Sequence, residues 1–274
     1  MTMTIKAEAF ARLISAALLL AAPLTPALGA GPALTAQPPS TPIAATDTRS
    51  GVLTLAGGVY AYLPKGRTAA PAPVLVALHG AGGQAADVLT GFREAADANG
   101  IVLLIPQSGK ATWDMIEDLK SRLGLEMNVQ PRYGKDLKAI DTALADLFTK
   151  VAVDPARIGI MGFSDGATYA LSVGTANPQL FKRVIAFSPG PAFLGKSSSD
   201  QYVFISHGEE DRVLPYATSR GHAAKLRVRH VPVEFEKFTG GHEVPKAIKE
   251  KAMAFFRDPA AATGSSATES PSAN

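Results

Sequence analysis

Gly162-Phe163-Ser164-Asp165-Gly166 is the stretch of this chain with the clearest capacity for chemistry. A hydroxyl between two glycines becomes a presented nucleophile only in a particular setting. That setting is a buried strand leading in, a sharp corner, and a helix leading out. The neighbouring residues supply it. Arg157 to Met161 is a short apolar run after a proline turn and reads as a strand. Small and apolar residues then recur at Ala167, Ala170, Leu171 and Gly174, which is one face of a helix. Gly162 and Gly166 lack a Cβ, so the chain can cross itself closely and raise Ser164 to the tip of the corner.

Serine is a weak nucleophile at neutral pH. It needs a base, and the base needs a carboxylate to orient it. On a strand–corner–helix of this kind the chain order is serine, acid, histidine. Of five histidines, His79 precedes the serine and is excluded by that order. His207 ends a strand ahead of the acid candidates, His222 falls inside a helix, and His230 begins a strand. His242 lies in Gly240-Gly241-His242-Glu243-Val244-Pro245, a loop at the carboxyl end of the last strand, from which a side chain can reach the corner. His242 is therefore the candidate base, and activity should rise with pH as an imidazole gives up its proton. Asp211, just past a strand end and before Val213 and Pro215, is the candidate acid; Glu209, Glu210 and Asp200 are rivals on sequence alone, because acidic clusters are often only solvated surface.

An acyl-transfer intermediate also needs two backbone donors for its oxyanion. The amide of Asp165 opens the helix, where N–H groups are unpaired and the dipole favours negative charge. The second donor is assigned to Ala81, in the Gly80-Ala81-Gly82 loop that follows an earlier apolar strand.

The elements that must position these groups alternate along the chain. Val52 to Leu63 reads as an edge hairpin, Val74 to Leu78 as a central strand, and Val88, Leu89, Phe92, Ala95 and Ala96 as one helical face stopped by Gly100. Ile101 to Pro106 is a strand, Gln107 to Pro131 is loop-rich, and Asp136 to Val151 is an amphipathic helix. After the serine corner come strands at Val184 to Phe187, Tyr202 to Ser206 and Val231 to Phe238, and helices at Tyr216 to Val228 and Pro245 to Phe256. The expected fold class is α/β, a mostly parallel central sheet with helices on both faces.

Both ends of the chain differ in composition. Residues 1–30 carry Lys6 and Arg12, an apolar run from Leu13 to Ala22 too short for a stable membrane anchor, and small residues at Ala27-Leu28-Gly29; they read as a signal peptide, which implies a secreted or periplasmic protein. Residues 31–50 are rich in Pro, Ala, Thr and Ser and read as a mobile linker with no core to join. Residues 258–274 read as a disordered tail. Residues 51–257, about 210 in number, suit one α/β domain. The net charge of +3 and the dispersed basic residues argue against a nucleic-acid partner. The densest cluster, Arg220, Lys225, Arg227 and Arg229, reads as the solvated side of a helix and strand. Zero cysteines exclude disulfides and thiolate metal sites. No metal or organic cofactor is expected, and the oligomeric state is not legible.

Together, His79-Gly80 after a strand, the Gly-Phe-Ser-Asp-Gly corner, His207-Gly208-x-x-Asp211-x-Val213-x-Pro215 and Gly241-His242 resemble the α/β-hydrolase superfamily over residues 72 to 256. The similarity is greatest to the phospholipase/carboxylesterase and dienelactone-hydrolase-like esterases, with a relation to polyhydroxybutyrate depolymerase and feruloyl esterase types. That resemblance implies a serine hydrolase of carboxylic esters, with Ser164 as nucleophile, Asp211 as acid and His242 as base. Thr112-Trp113-Asp114 is similar to a segment lining the acyl pocket in such esterases, so Trp113 is either a pocket residue or a core or rim aromatic. The secreted depolymerase and feruloyl groups commonly carry disulfides, which this chain lacks. Pro189 to Asp200 is too short for a large lid, which favours short-acyl or small soluble esters. A depolymerase or feruloyl-type esterase, a serine peptidase and an inactive binding protein on the same fold are the alternatives. With aromatics at 7% and one tryptophan, a broad polymer-binding platform has little support.

Overall fold

The computed structural model describes residues 31–41, 43, 49–122 and 130–260. The signal-peptide stretch at 1–30 and residues 261–274 of the expected tail lie outside the described residues.

Eight strands form one sheet. In chain order they are β1 (Gly51–Thr54), β2 (Tyr60–Leu63), β3 (Ala72–Leu78), β4 (Val102–Ile105), β5 (Val153–Phe163), β6 (Arg183–Phe187), β7 (Tyr202–Gly208) and β8 (Val233–Phe238). Their spatial order is β1-β2-β4-β3-β5-β6-β7-β8. β1 and β2 pair antiparallel through a turn at Ala56–Gly58, and β2 is antiparallel to β4; from β4 to β8 every pairing is parallel. The strand residues explain this layout. Every residue of β3, β4 and β6 is buried, as continuous apolar runs must be when helices cover both faces of a parallel sheet. The order reverses between β3 and β5, where the chain turns back across the sheet. Ligands in such sheets bind beyond the strands' carboxyl ends near that point.

Among the described residues, six α-helices fill the connections: α1 (Ala85–Asn99), α2 (Asp114–Arg122), α3 (Lys135–Lys150), α4 (Asp165–Ala176), α5 (Tyr216–Val228) and α6 (Lys246–Arg257). α1 ends at Gly100 in the left-handed conformation (φ 63°), where only glycine is free of strain. Two buried clusters flank the sheet. One joins α3, α4 and α5 to β3, β5 and β6; the other joins α1 and α6 to the opposite face through Met161, Ile185 and Phe187.

Two expectations need correction. The stretch expected to be loop-rich contains α2. Its first turn is capped from a distance, because Asp136 accepts the Asp114 amide at 2.8 Å, so no local capping residue marks its start. In the stretch read as a mobile linker, residues 32–36 are docked on the domain. Leu34 and Ala36 are buried in the main core. Asn177 accepts the Leu34 amide at 2.9 Å and donates to Pro32 O at 2.6 Å, and Asp141 accepts the amides of Thr35 and Ala36 at 2.8 and 2.7 Å. Side chains of α3 and the end of α4 thus supply the hydrogen bonds that this Pro- and Ala-rich segment cannot make within itself. Among the described residues, no helix is long and apolar enough to cross a membrane.

Candidate active site

The corner between β5 and α4 departs from ordinary backbone geometry at one residue. Ser164 has φ 57° and ψ −121°, a region that L-residues rarely occupy. Its amide donates to Phe187 O at 2.9 Å, which ties the corner to the end of β6. The flanking glycines are required by space. A Cβ at Gly162 would lie 2.2 Å from Gly166 O, and one at Gly166 would lie 2.4 Å from His79 O. The main chain passes through itself and past β3 at distances no side chain could share.

The structure brings the three predicted side chains together. Ser164 Oγ is 2.8 Å from His242 Nε2, and His242 Nδ1 is 2.7 Å from Asp211 Oδ2. A carboxylate at Nδ1 places the ring proton there and leaves Nε2 able to accept the serine proton. Asp211 is held from several sides. Oδ1 accepts the amides of Val213 and Leu214 at 2.8 and 2.9 Å, and the side chain is fully buried. Burial alone would raise its pKa. The two amides and His242 outweigh that penalty and hold the carboxyl below its ordinary value. The rivals stand elsewhere: Glu209 pairs with Lys237 and Asp200 with Lys182, while Glu210 is exposed.

How the acid and base loops meet is visible at Gly208. A Cβ there would fall 2.3 Å from Gly240 O and 2.4 Å from Gly241 O. The loop after β7 therefore crosses the loop after β8 backbone to backbone, and the amides of Glu209 and Glu210 bind Phe238 O and Gly240 O at 2.9 and 3.0 Å. This crossing sets the distance from Asp211 to His242.

Of the two residues expected to donate to an oxyanion, Asp165 follows Ser164 directly, and Ala81 lies in the loop after β3 that passes the serine corner at Gly80. Gly80 lies so close that a Cβ on it would be 3.3 Å from Ser164 Cβ. In the loop that follows, Gly82 donates to Ala111 O and Gly83 donates to Gly80 O, whereas the Ala81 amide makes no hydrogen bond among the described residues. Asp165 begins α4, where its amide has no intrahelical acceptor. The Asp165 carboxylate is turned away from that amide, accepting Thr112 Oγ1 at 2.8 Å and facing Lys120 at 3.5 Å.

Trp113 sits in the core. It is fully buried, and its indole N–H donates to His79 O at 2.9 Å while the ring packs against His79 and Tyr169 at 4.9 and 5.3 Å. It holds the start of the loop after β3 in place, as the core reading of this residue expects. His79 braces the same loop. Its Nδ1 donates to Gly80 O at 2.7 Å and its Nε2 accepts the Ser108 amide at 3.1 Å.

Sequence reasoning sets His207 aside, yet it touches the site. Its Nε2 lies 3.0 Å from Leu214 O and 3.1 Å from Asp211 Oδ2, while Nδ1 meets Ser219 Oγ at 2.7 Å. A carbonyl only accepts, so Nε2 carries the proton and Nδ1 accepts from the serine. The signal in the sequence is its spacing four residues before Asp211, on the strand that delivers the acid.

Proteins similar to this chain are described as esterases. The family model described as "Putative esterase" matches residues 52–231, well over half of the chain. A curated protein named "Putative esterase NocK", from Nocardia uniformis subsp. tsuyamanensis, is 25% identical over 185 residues, covering 64% of this chain and 52% of the relative. The chain thus spans about half the length of that relative. Among solved structures, a Bacillus cereus carboxylesterase superposes with a TM-score of 0.54 at 22% identity, covering 74% of this chain and 95% of the other. Est1E from Butyrivibrio proteoclasticus superposes with a TM-score of 0.53 at 16% identity, covering 77% and 100%. At these identities the likeness to the solved structures is one of fold.

Proposed function

The chain belongs to the esterase family, and on that premise we propose that it hydrolyses carboxylic esters through an acyl-enzyme on Ser164. The observation that carries this reading is the unbroken line from Ser164 Oγ through both nitrogens of His242 to Asp211. Ser164 Oγ attacks the ester carbonyl carbon as its proton passes to His242 Nε2. The C–O π pair moves onto oxygen, and the resulting anion is received by the amides of Ala81 and Asp165. When the pair returns, the bond to the alcohol oxygen breaks, and that oxygen takes the proton from Nε2. Water then adds to the acyl carbon with His242 as base, and Ser164 leaves with the proton restored. Asp211 stays ionised throughout and stabilises the imidazolium.

The connection between β6 and β7, residues 188–201, is short coil and carries no lid domain. That supports small, soluble esters over aggregated lipid. Export, implied by the apolar run and small residues of 1–30, belongs to the same proposal.

The test is hydrolysis of p-nitrophenyl acetate by the purified protein and by Ser164→Ala, with a fluorophosphonate as covalent label. Turnover and labelling that both vanish in the variant are expected. Turnover that survives in Ser164→Ala would refute the mechanism, and an unlabelled, inactive wild type would indicate a binding protein on this fold.

A further inference from the structure

The residue after the nucleophile carries a charge that works against the reaction its amide is proposed to assist. Asp165 offers its N–H to the oxyanion in the mechanism above, yet its side chain is a carboxylate in the first turn of α4. Covalent geometry keeps such a carboxylate within about 5 Å of its own amide nitrogen, and an oxyanion sits ~3 Å beyond that nitrogen. The two negative charges are thus at most about 8 Å apart. At that range, in the reduced dielectric of a site, their repulsion slows a reaction on the order of tenfold. We propose that Thr112 and Lys120 compensate this charge: they bind the Asp165 carboxylate and leave the amide and the positive end of α4 to the oxyanion. Both act through Asp165 and are positioning residues. The proposal rests on the esterase mechanism above.

Three observations carry it. The first is the pair of donors. Thr112 Oγ1 donates to Asp165 Oδ2 at 2.8 Å, and Lys120 Nζ lies 3.5 Å from the same oxygen. A buried hydroxyl and a cation, both from outside α4, converge on one carboxylate oxygen beside the nucleophile.

The second is that their placement is fixed. Tyr169 of α4 donates its hydroxyl to Asp114 Oδ1 at 3.0 Å, at the start of α2, and the Trp113 ring packs on that of Tyr169 at 5.3 Å. The helix that carries Lys120 is therefore anchored to the helix that begins with Asp165.

The third is that folding does not account for the cation. The Lys120 side chain is 57% exposed, and an ion pair of this kind contributes little to stability. A carboxylate in the first turn of a helix is favoured by the dipole without any cation. Charge next to reacting atoms, by contrast, acts on the transition state.

The experiment measures kcat and KM for p-nitrophenyl acetate in the wild type, Lys120→Arg, Lys120→Met and Thr112→Val, and repeats Lys120→Met in an Asp165→Asn background. Lys120→Met should lower kcat and kcat/KM together, by about three- to tenfold, as loss of an interaction made only in the transition state requires. Thr112→Val should lower kcat in the same way, and Lys120→Arg should retain it. In the Asp165→Asn background, Lys120→Met should cause no further loss, because no charge remains to be compensated. The melting temperature of Lys120→Met should match the wild type. Unchanged kcat in Lys120→Met, an equal loss in both backgrounds, or a rise in KM alone would each overturn the assignment while the serine mechanism stands. Turnover that persists in Ser164→Ala would overturn both. Should Thr112→Val fail to fold, the Lys120 variants decide.

Discussion

His207 and His242 converge on one carboxylate oxygen: their ring nitrogens lie 3.1 and 2.7 Å from Asp211 Oδ2. Only His242 can reach Ser164. His207 is fully buried, spends its second nitrogen on Ser219, and acts on the reaction through the carboxylate. Replacing it by glutamine should lower kcat about tenfold with little change in KM, because substrate does not touch it. The readout is the split between kcat and KM: a fall in kcat alone fits a carboxylate displaced from His242, whereas an unchanged kcat beside a lowered melting temperature would assign His207 a packing role alone.

The crossing of the acid and base loops makes Gly208 sensitive. In Gly208→Ala the new methyl would collide with Gly240 O, and one backbone must retreat. The expected result is a loss of at least about 10²-fold in kcat/KM, because displacements near 1 Å misalign a catalytic hydrogen bond. Far-UV circular dichroism should remain native. Wild-type turnover in this variant would mean that the crossing does not set the Asp211–His242 distance.

Asp114 and Asp136 cap each other's helices. Asp114 Oδ2 accepts the amides of Gly134 and Asp136 at 2.9 and 2.8 Å, at the start of α3, and Asp136 accepts those of Asp114 and Gly109 at 2.8 and 2.9 Å. Asp136→Ala should cost ~1–2 kcal/mol, as loss of an N-cap typically does. Since the two caps share one interface, the double alanine variant should cost less than the sum of the single ones. Thermal or urea unfolding of the four proteins measures this, and strict additivity would refute the coupling.

His222 should make stability depend on pH. Its Nε2 donates to Gly190 O at 2.9 Å, while Nδ1 is buried without a partner among the described residues. Burial, and secondarily the charge of Lys225, lowers its pKa below 6.5; the bond to Gly190 only partly opposes this. Above about 6.5 the ring is neutral in both the folded and unfolded chains and costs nothing. As pH falls below that value the unfolded chain takes up a proton that the folded chain refuses. Stability is therefore lost from about 6.5 down to the depressed folded value, by at most ~1.4 kcal/mol per pH unit. Urea titrations at pH 7.5 and 5.5 should show a smaller loss in His222→Gln than in the wild type. An equal loss in both would rule this residue out as the source.

Much of the site is legible along the chain itself. The serine corner, its strand and its helix are local features, fixed by short-range sterics and by apolar periodicity, and the choice of His242 needs only chain order and a loop after the last strand. The assignment of Ala81 and Asp165 follows from the same logic. What stays open in the sequence depends on contacts between distant segments. Three carboxylates compete at the end of β7 and a fourth, Asp200, precedes the strand; Asp211 is distinguished only by the crossing at Gly208 and the amides of Val213 and Leu214. α2 is started by a residue in α3, so no local pattern announces it. Trp113 suits a pocket and the core equally well until the carbonyl of His79 claims its N–H. Residues 32–36 have the composition of a linker, but Asp141 and Asn177 satisfy their backbone from outside. By itself the sequence determined the strands, the helices other than α2 and the Ser164 corner between β5 and α4, because those depend on neighbours along the chain. Tertiary structure alone decided which acid meets His242 and where Trp113 packs, because each is selected by a hydrogen bond or a van der Waals contact to a residue far away in sequence.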